Sequence, residues 1–198
     1  MLLTNKRYTV RITVEDEKQF NSAVYDFVYD PLTQKIEDLP KIFSLDIHDG
    51  FQTRRIALIA DVLCVETHCA VLEDHVLTVL LNKEIVQLHL EDGRLICCKA
   101  VDSFGCNWEI HPTKPGFVIY GELEITMLDR SLQKQWSVSG NDIFASLTKG
   151  SFFEVTEETI QVYDFDDTFY EFDLNGVLLK EIPAKKQLES DAEEAAPI

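Results

Sequence analysis

The sequence is poor in the residues that announce a site. Among 198 residues there are eight glycines, six prolines, five cysteines, two methionines and two tryptophans. No Cys-x-x-Cys pair occurs, so a zinc knuckle is excluded. There is no Gly-rich phosphate loop, no Gly-x-Ser-x-Gly elbow and no His-Glu-x-x-His run. No catalytic residue, cofactor or metal set is therefore assigned, and the expectation is a protein that is not an enzyme. No apolar run approaches the roughly 20 residues that span a bilayer. The opening "MLLTNKRYTV" lacks the basic stretch and apolar core of a signal peptide. An odd number of cysteines without secreted spacing completes the prediction of a cytoplasmic chain with reduced thiols.

Positive charge is scarce as well. Lys and Arg number 18 against 35 Asp and Glu, a net charge of −17. Residues 1–99 carry a balance of −5 and residues 100–198 one of −12. Such a field repels phosphate backbones and anionic bilayers, which excludes nucleic acid and membrane surfaces as partners. It suits a basic protein partner. It also suits plain solubility.

What is present in quantity is short alternation. With 45% hydrophobic residues, including 12 Phe and six Tyr, the chain can bury a sizeable core, and aromatic rings pack well on pleated surfaces. "RYTVRITV" (7–14) reads as a strand, followed by a charged turn over Glu15–Lys18. "SAVYDFVYD" (22–30) reads as a second strand with Tyr25, Phe27 and Tyr29 on the core side, ended by Pro31. "KIFSLDIHDG" (41–50) reads as a third strand closing on an Asp-Gly turn. "RRIALIADVLCVE" (54–66) is the most apolar stretch, a buried strand pair or a short helix. Its β-branched residues favour strands. From residue 69 a rhythm of three or four short strands repeats over roughly 69–101, 107–139 and 151–182, the periodicity of propeller and array folds. The expected organisation is an N-terminal antiparallel β segment (1–60), three β-meander repeats (61–183) and a disordered acidic tail (184–198).

The repeat has a signature: an apolar residue, Asp, a turn, then an apolar return strand. It stands as "LEDGRLICC" (90–98), "LDRSLQKQW" (128–136) and "FDLNGVLLK" (172–180), with an echo in "YDPLTQKI" (29–36). This resembles the repeat of pyrroloquinoline-quinone-type β-propellers, in which Asp and Gly make the turn and a Trp staples one blade to the next. Leu132 replaces the turn Gly in the middle copy, the first copy is one residue shorter in its turn, and Trp136 alone supplies the blade Trp, with Lys180 at its place in the last copy. The stretch "GELEITMLDRSLQKQWSVSGNDIFASL" is also similar to a family of small bacterial proteins with the same repeat. The expected fold class is all-β, antiparallel hairpin repeats forming a partial propeller or β-sandwich.

Candidate chemistry is thin. Cys64, His68, Cys69 and His75 offer zinc-type ligands, but on a continuous strand Cys69 falls opposite Cys64 and His68, so packing is the expectation. Cys97 and Cys98 point to opposite faces. Cys106 has no spaced histidine, and His111 precedes Pro112 in a loop-like stretch. Between Glu154 and Asp173 stand eight acidic residues and no Lys or Arg. Asp164, Asp166 and Asp167 gather at a hairpin tip without the Gly and late Glu of a calcium loop. These three, with Trp108 as an exposed anchor, are the candidate partner-binding residues. The function expected is a cytoplasmic β-repeat binding or scaffold protein holding a basic partner, as an immunity protein does. The competing expectation is a metal protein or hydrolase with its site in a central β cavity.

Overall fold

A computed structural model describes residues 1–16, 20–30, 41–60, 68–102, 105–150 and 152–184. Glu17 and Lys18 of the charged turn, most of the 29–36 echo (31–36), all of 61–67 with Cys64, and the tail from 185 lie outside them. The chain forms two compact units, Met1–Ile110 and His111–Ile198. Its strands are β1 (Leu2–Thr4), β2 (Thr9–Asp16), β3 (Phe27–Tyr29), β4 (Lys41–His48), β5 (Thr53–Ala60), β6 (Ala70–Glu73), β7 (Val76–Leu81), β8 (Glu84–His89), β9 (Leu95–Ala100), β10 (Asn107–Pro112), β11 (Gly116–Gly121), β12 (Ile125–Asp129), β13 (Lys134–Val138), β14 (Phe153–Val155), β15 (Thr159–Tyr163), β16 (Phe169–Asp173) and β17 (Leu178–Ile182). They make one five-stranded sheet, β1-β2-β4-β5-β3, and three four-stranded meanders, β6 to β9, β10 to β13 and β14 to β17. The fold is all-β and, apart from the β3–β5 pair, antiparallel in the strand pairings described.

The five-stranded sheet shows why its sequence is so apolar. Val10 and Ile12 pair with Ile47 and Leu45, and Leu45 pairs in turn with Ile56. These side chains join Leu77, Val79, Val86 and Leu88 of the next sheet in the first unit's core. The opposite face of the sheet is covered too, by Tyr25 and Phe20 over Ile42 and Ala57. A strand buried on both faces reads as a continuous apolar run, which is the pattern of "IALIA". The β-branched content correctly indicated strand over the described part, 53–60.

Two local readings change. Residues 22–30 are not one strand: Asn21 caps a 3-10 turn at Ser22–Val24, its side chain accepting from the Ala23 amide at 3.1 Å, and only Phe27–Tyr29 extends, parallel to β5. The alternation still sorts correctly, with Tyr25 buried and Val24 and Val28 exposed. Glu15 and Asp16 continue β2 in register with Ile42 and Lys41 instead of turning.

Each of the three repeats folds as one four-stranded meander, and the repeat signature is the turn before its last strand. In the middle copy the Asp129 amide donates to Gln133 O at 2.9 Å and the Leu132 amide to Asp129 O at 2.9 Å. The last copy repeats this with Asp173, Val177 and Gly176. The Asp129 carboxylate accepts from the amides of Ser131 and Gln133, both at 2.9 Å, and Asp173 accepts from Asn175 and Val177, both at 2.8 Å. The residue closing each turn is left-handed, Leu132 at φ 61° and Gly176 at φ 80°. In the first copy the equivalent bonds run from His89 to Arg94 O and from Gly93 to His89 O. That turn is one residue longer, not shorter, because His89 occupies the strand-end position and Asp92 supplies the carboxylate, 2.9 Å from His89 Nδ1.

The staple is also visible. Trp136 of β13 lies on the β16–β17 turn, its Nε1–H donating to Leu174 O at 3.2 Å. A Cβ at Gly176 would stand 2.8 Å from the Trp136 ring, so glycine is needed there for contact as well as for φ. In the first unit Phe27 plays this part over Gly93, where a Cβ would meet its ring at 2.6 Å. Tyr29 adds a bond from its hydroxyl to Gly93 O at 3.0 Å.

Candidate functional site

The acidic hairpin between β15 and β16 is built by the same turn. The Asp164 amide donates to Thr168 O, the Asp167 amide donates to Asp164 O, and Asp167 takes the left-handed place at φ 57°. Here, however, the first Asp is fully buried. Its carboxylate accepts from the Thr168 amide and from the Tyr170 hydroxyl, both at 2.9 Å, and the Tyr170 oxygen accepts from the Asn141 amide at 3.0 Å. Burial pushes the Tyr170 hydroxyl up to about 12, and the bond to Asp164 adds to the effect. Asp167 accepts from the hydroxyls of Ser146 and Thr148, which tie the 146–149 loop to the hairpin and hold its carboxyl below the usual range. Of the three acids predicted to face a partner, Asp164 faces inward, Asp167 is committed to a neighbouring loop, and Asp166 is exposed.

Trp108 is half-buried on β10, not in a loop, and so is His111, whose ring lies 5.2 Å from that of Phe153. The strand before them starts from a buried amide network that sequence reading missed. Asn82, left-handed at φ 65°, accepts from the Asn107 amide, and the Asn107 side chain donates to Asn82 O at 2.9 Å and to Asp102 at 2.6 Å.

The described members of the zinc-type set have three different surroundings. Cys69 is buried against Met1, with its sulfur 3.5 Å from the Met1 sulfur. His68 Nδ1 lies 3.6 Å from Glu109 Oε2. His75 meets His89 edge-on at 4.9 Å. Cys97 reaches Gln87 at 3.7 Å, while Cys98 packs against the first core. Burial, with Glu84 nearby, pushes the Cys98 thiol up to about 11, the opposite of an activated thiolate. The Cys106 backbone, at φ 62°, is held by Asn82.

A large cavity lies elsewhere, at one end of the second unit. It is a cleft of about 890 Å³ lined by Pro112, Thr113 and Lys114 from the β10–β11 turn, Arg130 from the β12–β13 turn, Val155 to Glu158 from the β14–β15 turn, and Leu174. The turns of the β10–β13 meander supply its cations and the β14–β15 turn its carboxylates. Arg130 is fixed, its guanidinium 4.7 Å above the Phe117 ring and its Nη2 donating to Thr113 O at 2.5 Å. Glu157 and Glu158 are exposed, on a turn that Thr156 closes by accepting from the amides of Glu158 and Thr159. No spacing in the sequence signals that these tips meet, because they belong to different repeats. A smaller recess of about 380 Å³ in the first unit, beside Lys6 and Arg7, has Arg7 already bound to Glu91 at 2.6 Å.

No family model and no curated protein matches the chain. Solved structures do. BamB from Moraxella catarrhalis aligns with a TM-score of 0.49 at 11% identity, over 73% of this chain and 47% of its own. The computationally designed Ika8 protein aligns with a TM-score of 0.50 at 8% identity, over 72% of this chain and 46% of its own. The chain thus spans about half the length of each. At such identities the likeness concerns fold alone. The class that the strands themselves define is an all-β repeat protein of four-stranded antiparallel meanders. No helix among the described residues is long and apolar enough to cross a membrane.

Proposed function

We propose that this chain is a non-enzymatic scaffold that holds a basic protein partner, in the manner of an immunity protein, and does so in the cytoplasm. One observation carries the reading. In the stretch 154–173, which has eight acids and no Lys or Arg, Glu157, Glu158 and Asp166 are exposed and make no ion pair to a described residue. Carboxylates left in this state keep an outward negative field, which speeds and orients the approach of a basic surface. The surrounding meanders give them a stiff base, since turns on a rigid sheet are where contacts are made. The described cysteines form no disulfide, which suits a reducing compartment.

The test is capture from cell extract on the immobilised full chain across a salt series. Basic proteins released between low and moderate salt are the expected outcome. Capture of equal strength at low and high salt counts against the electrostatic reading, and capture of acidic proteins refutes it.

A further inference from the structure

In this protein, turn carboxylates are usually spent on the turn itself. Asp49, Asp129 and Asp173 each accept two backbone amides, and Asp164 accepts one plus a hydroxyl. Their replacement would loosen the fold. The two turns facing the cleft of the second unit are different. Thr156 closes one, and Thr113 closes the other, its amide donating to Gly116 O at 2.8 Å. Threonine therefore does the holding, and the charged neighbours Glu157, Glu158 and Lys114 make no hydrogen bond or ion pair from their side chains to a described residue. All three line the same cleft, together with Arg130 and with Pro112, Val155 and Leu174, which supply apolar surface.

Two adjacent carboxylates that repel each other, lining one open cleft together with an ammonium group, form a two-signed recognition surface. We infer that the cleft takes an extended segment of a partner protein, a basic side chain of which meets Glu157 and Glu158 while an acidic side chain meets Lys114 beside Arg130. This rests on the scaffold reading and adds to it the place and chemistry of the contact. A cleft of this volume is on the order of 10 Å across, the reach of three residues of extended chain. The segment accordingly carries its two charges about three positions apart.

The experiment is an amide NMR titration of the full chain with capped Gly/Ser peptides bearing one Lys and one Glu three positions apart, against peptides bearing only one of them or neither. The expected result is shifts concentrated at Thr113, Lys114, Thr156, Glu157 and Glu158. Binding should be severalfold weaker for the Lys-only and Glu-only peptides, and E157Q/E158Q should abolish the preference for Lys. The inference is overturned by no shift at millimolar peptide, by equal binding of the uncharged peptide, or by shifts confined to other turns. It is also overturned if free lysine and glutamate act as strongly as the peptide, since the site would then be one for small solutes. Peptide failure alongside intact salt-sensitive capture of basic proteins removes only the cleft; peptide binding without any such capture removes only the basic-partner reading.

Discussion

Leu132 is the place where the repeat's own pattern gives misleading advice. Two of its counterparts are glycines, and it sits at φ 61°, so Leu132→Gly looks like a repair. Relief of a left-handed leucine is worth about 1–2 kcal/mol. Yet Leu132 is only 2% exposed. Removing a buried leucine forfeits about 2–3 kcal/mol of transfer free energy, with a further term for any cavity left behind. The extra freedom of glycine in the unfolded chain costs about 0.5–1 kcal/mol more. Burial therefore wins, and L132G should destabilise the second unit by about 2–3 kcal/mol. In a Trp108→Phe background Trp136 is the sole tryptophan and reports on that unit. Its urea midpoint should fall by about 1–2 M, taking a slope of about 1–3 kcal/mol per M. An unchanged or raised midpoint would show that backbone strain, not burial, governs this turn.

The remaining expectations follow from the same contacts. Gly176→Ala combines a left-handed φ with a Cβ 2.8 Å from the Trp136 ring, so it should cost about 2 kcal/mol or more and shift Trp136 fluorescence to the red. Asp164→Ala leaves the Thr168 amide and the Tyr170 hydroxyl without their buried acceptor, and should cost about 2–4 kcal/mol by urea or thermal unfolding. Backbone amides hold the carboxyls of Asp129 and Asp173 below their ordinary value of 3.8. Because they titrate lower folded than unfolded, their stabilisation is complete above that value and is lost as pH falls through the folded pKa; D129N/D173N, which keeps an acceptor oxygen, should flatten the fall in stability below about pH 4. Trp136→Phe keeps most of the ring but loses the bond to Leu174 O, and should cost about 1 kcal/mol by urea unfolding followed by circular dichroism.

Sequence periodicity carried most of the architecture. Alternation placed the three meanders because a half-buried strand must alternate, and it marked Tyr25, Phe27 and Tyr29 as inward residues, although Tyr25 covers one face of the sheet while Phe27 and Tyr29 pack on the core of the other. The first copy's turn was misjudged because hydrogen bonds, not the letters Asp and Gly, set the register: His89 holds the place of Asp129. Asp164 was misjudged as a surface acid because the Asp-x-x-left-handed turn looks the same in sequence whether its carboxylate meets water or a buried tyrosine. His111 looks loop-like beside Pro112, and Trp108 beside Asn107, yet a proline at a strand end removes no needed ladder bond and both lie on β10. The cleft could not be read at all. Its walls come from hairpin tips some 40 residues apart in sequence, and their charges matter because Thr113 and Thr156 hold the same turns in their place.

The most direct test of the scaffold account is to take the basic protein captured at low salt, purify it, and measure its affinity for the full chain and for E157Q/E158Q/D166N across a salt series. The account predicts a steep loss of affinity with salt for the native chain, and for the variant a weaker, flatter dependence with the same thermal stability. Equal affinities and equal salt slopes for the two chains would contradict it.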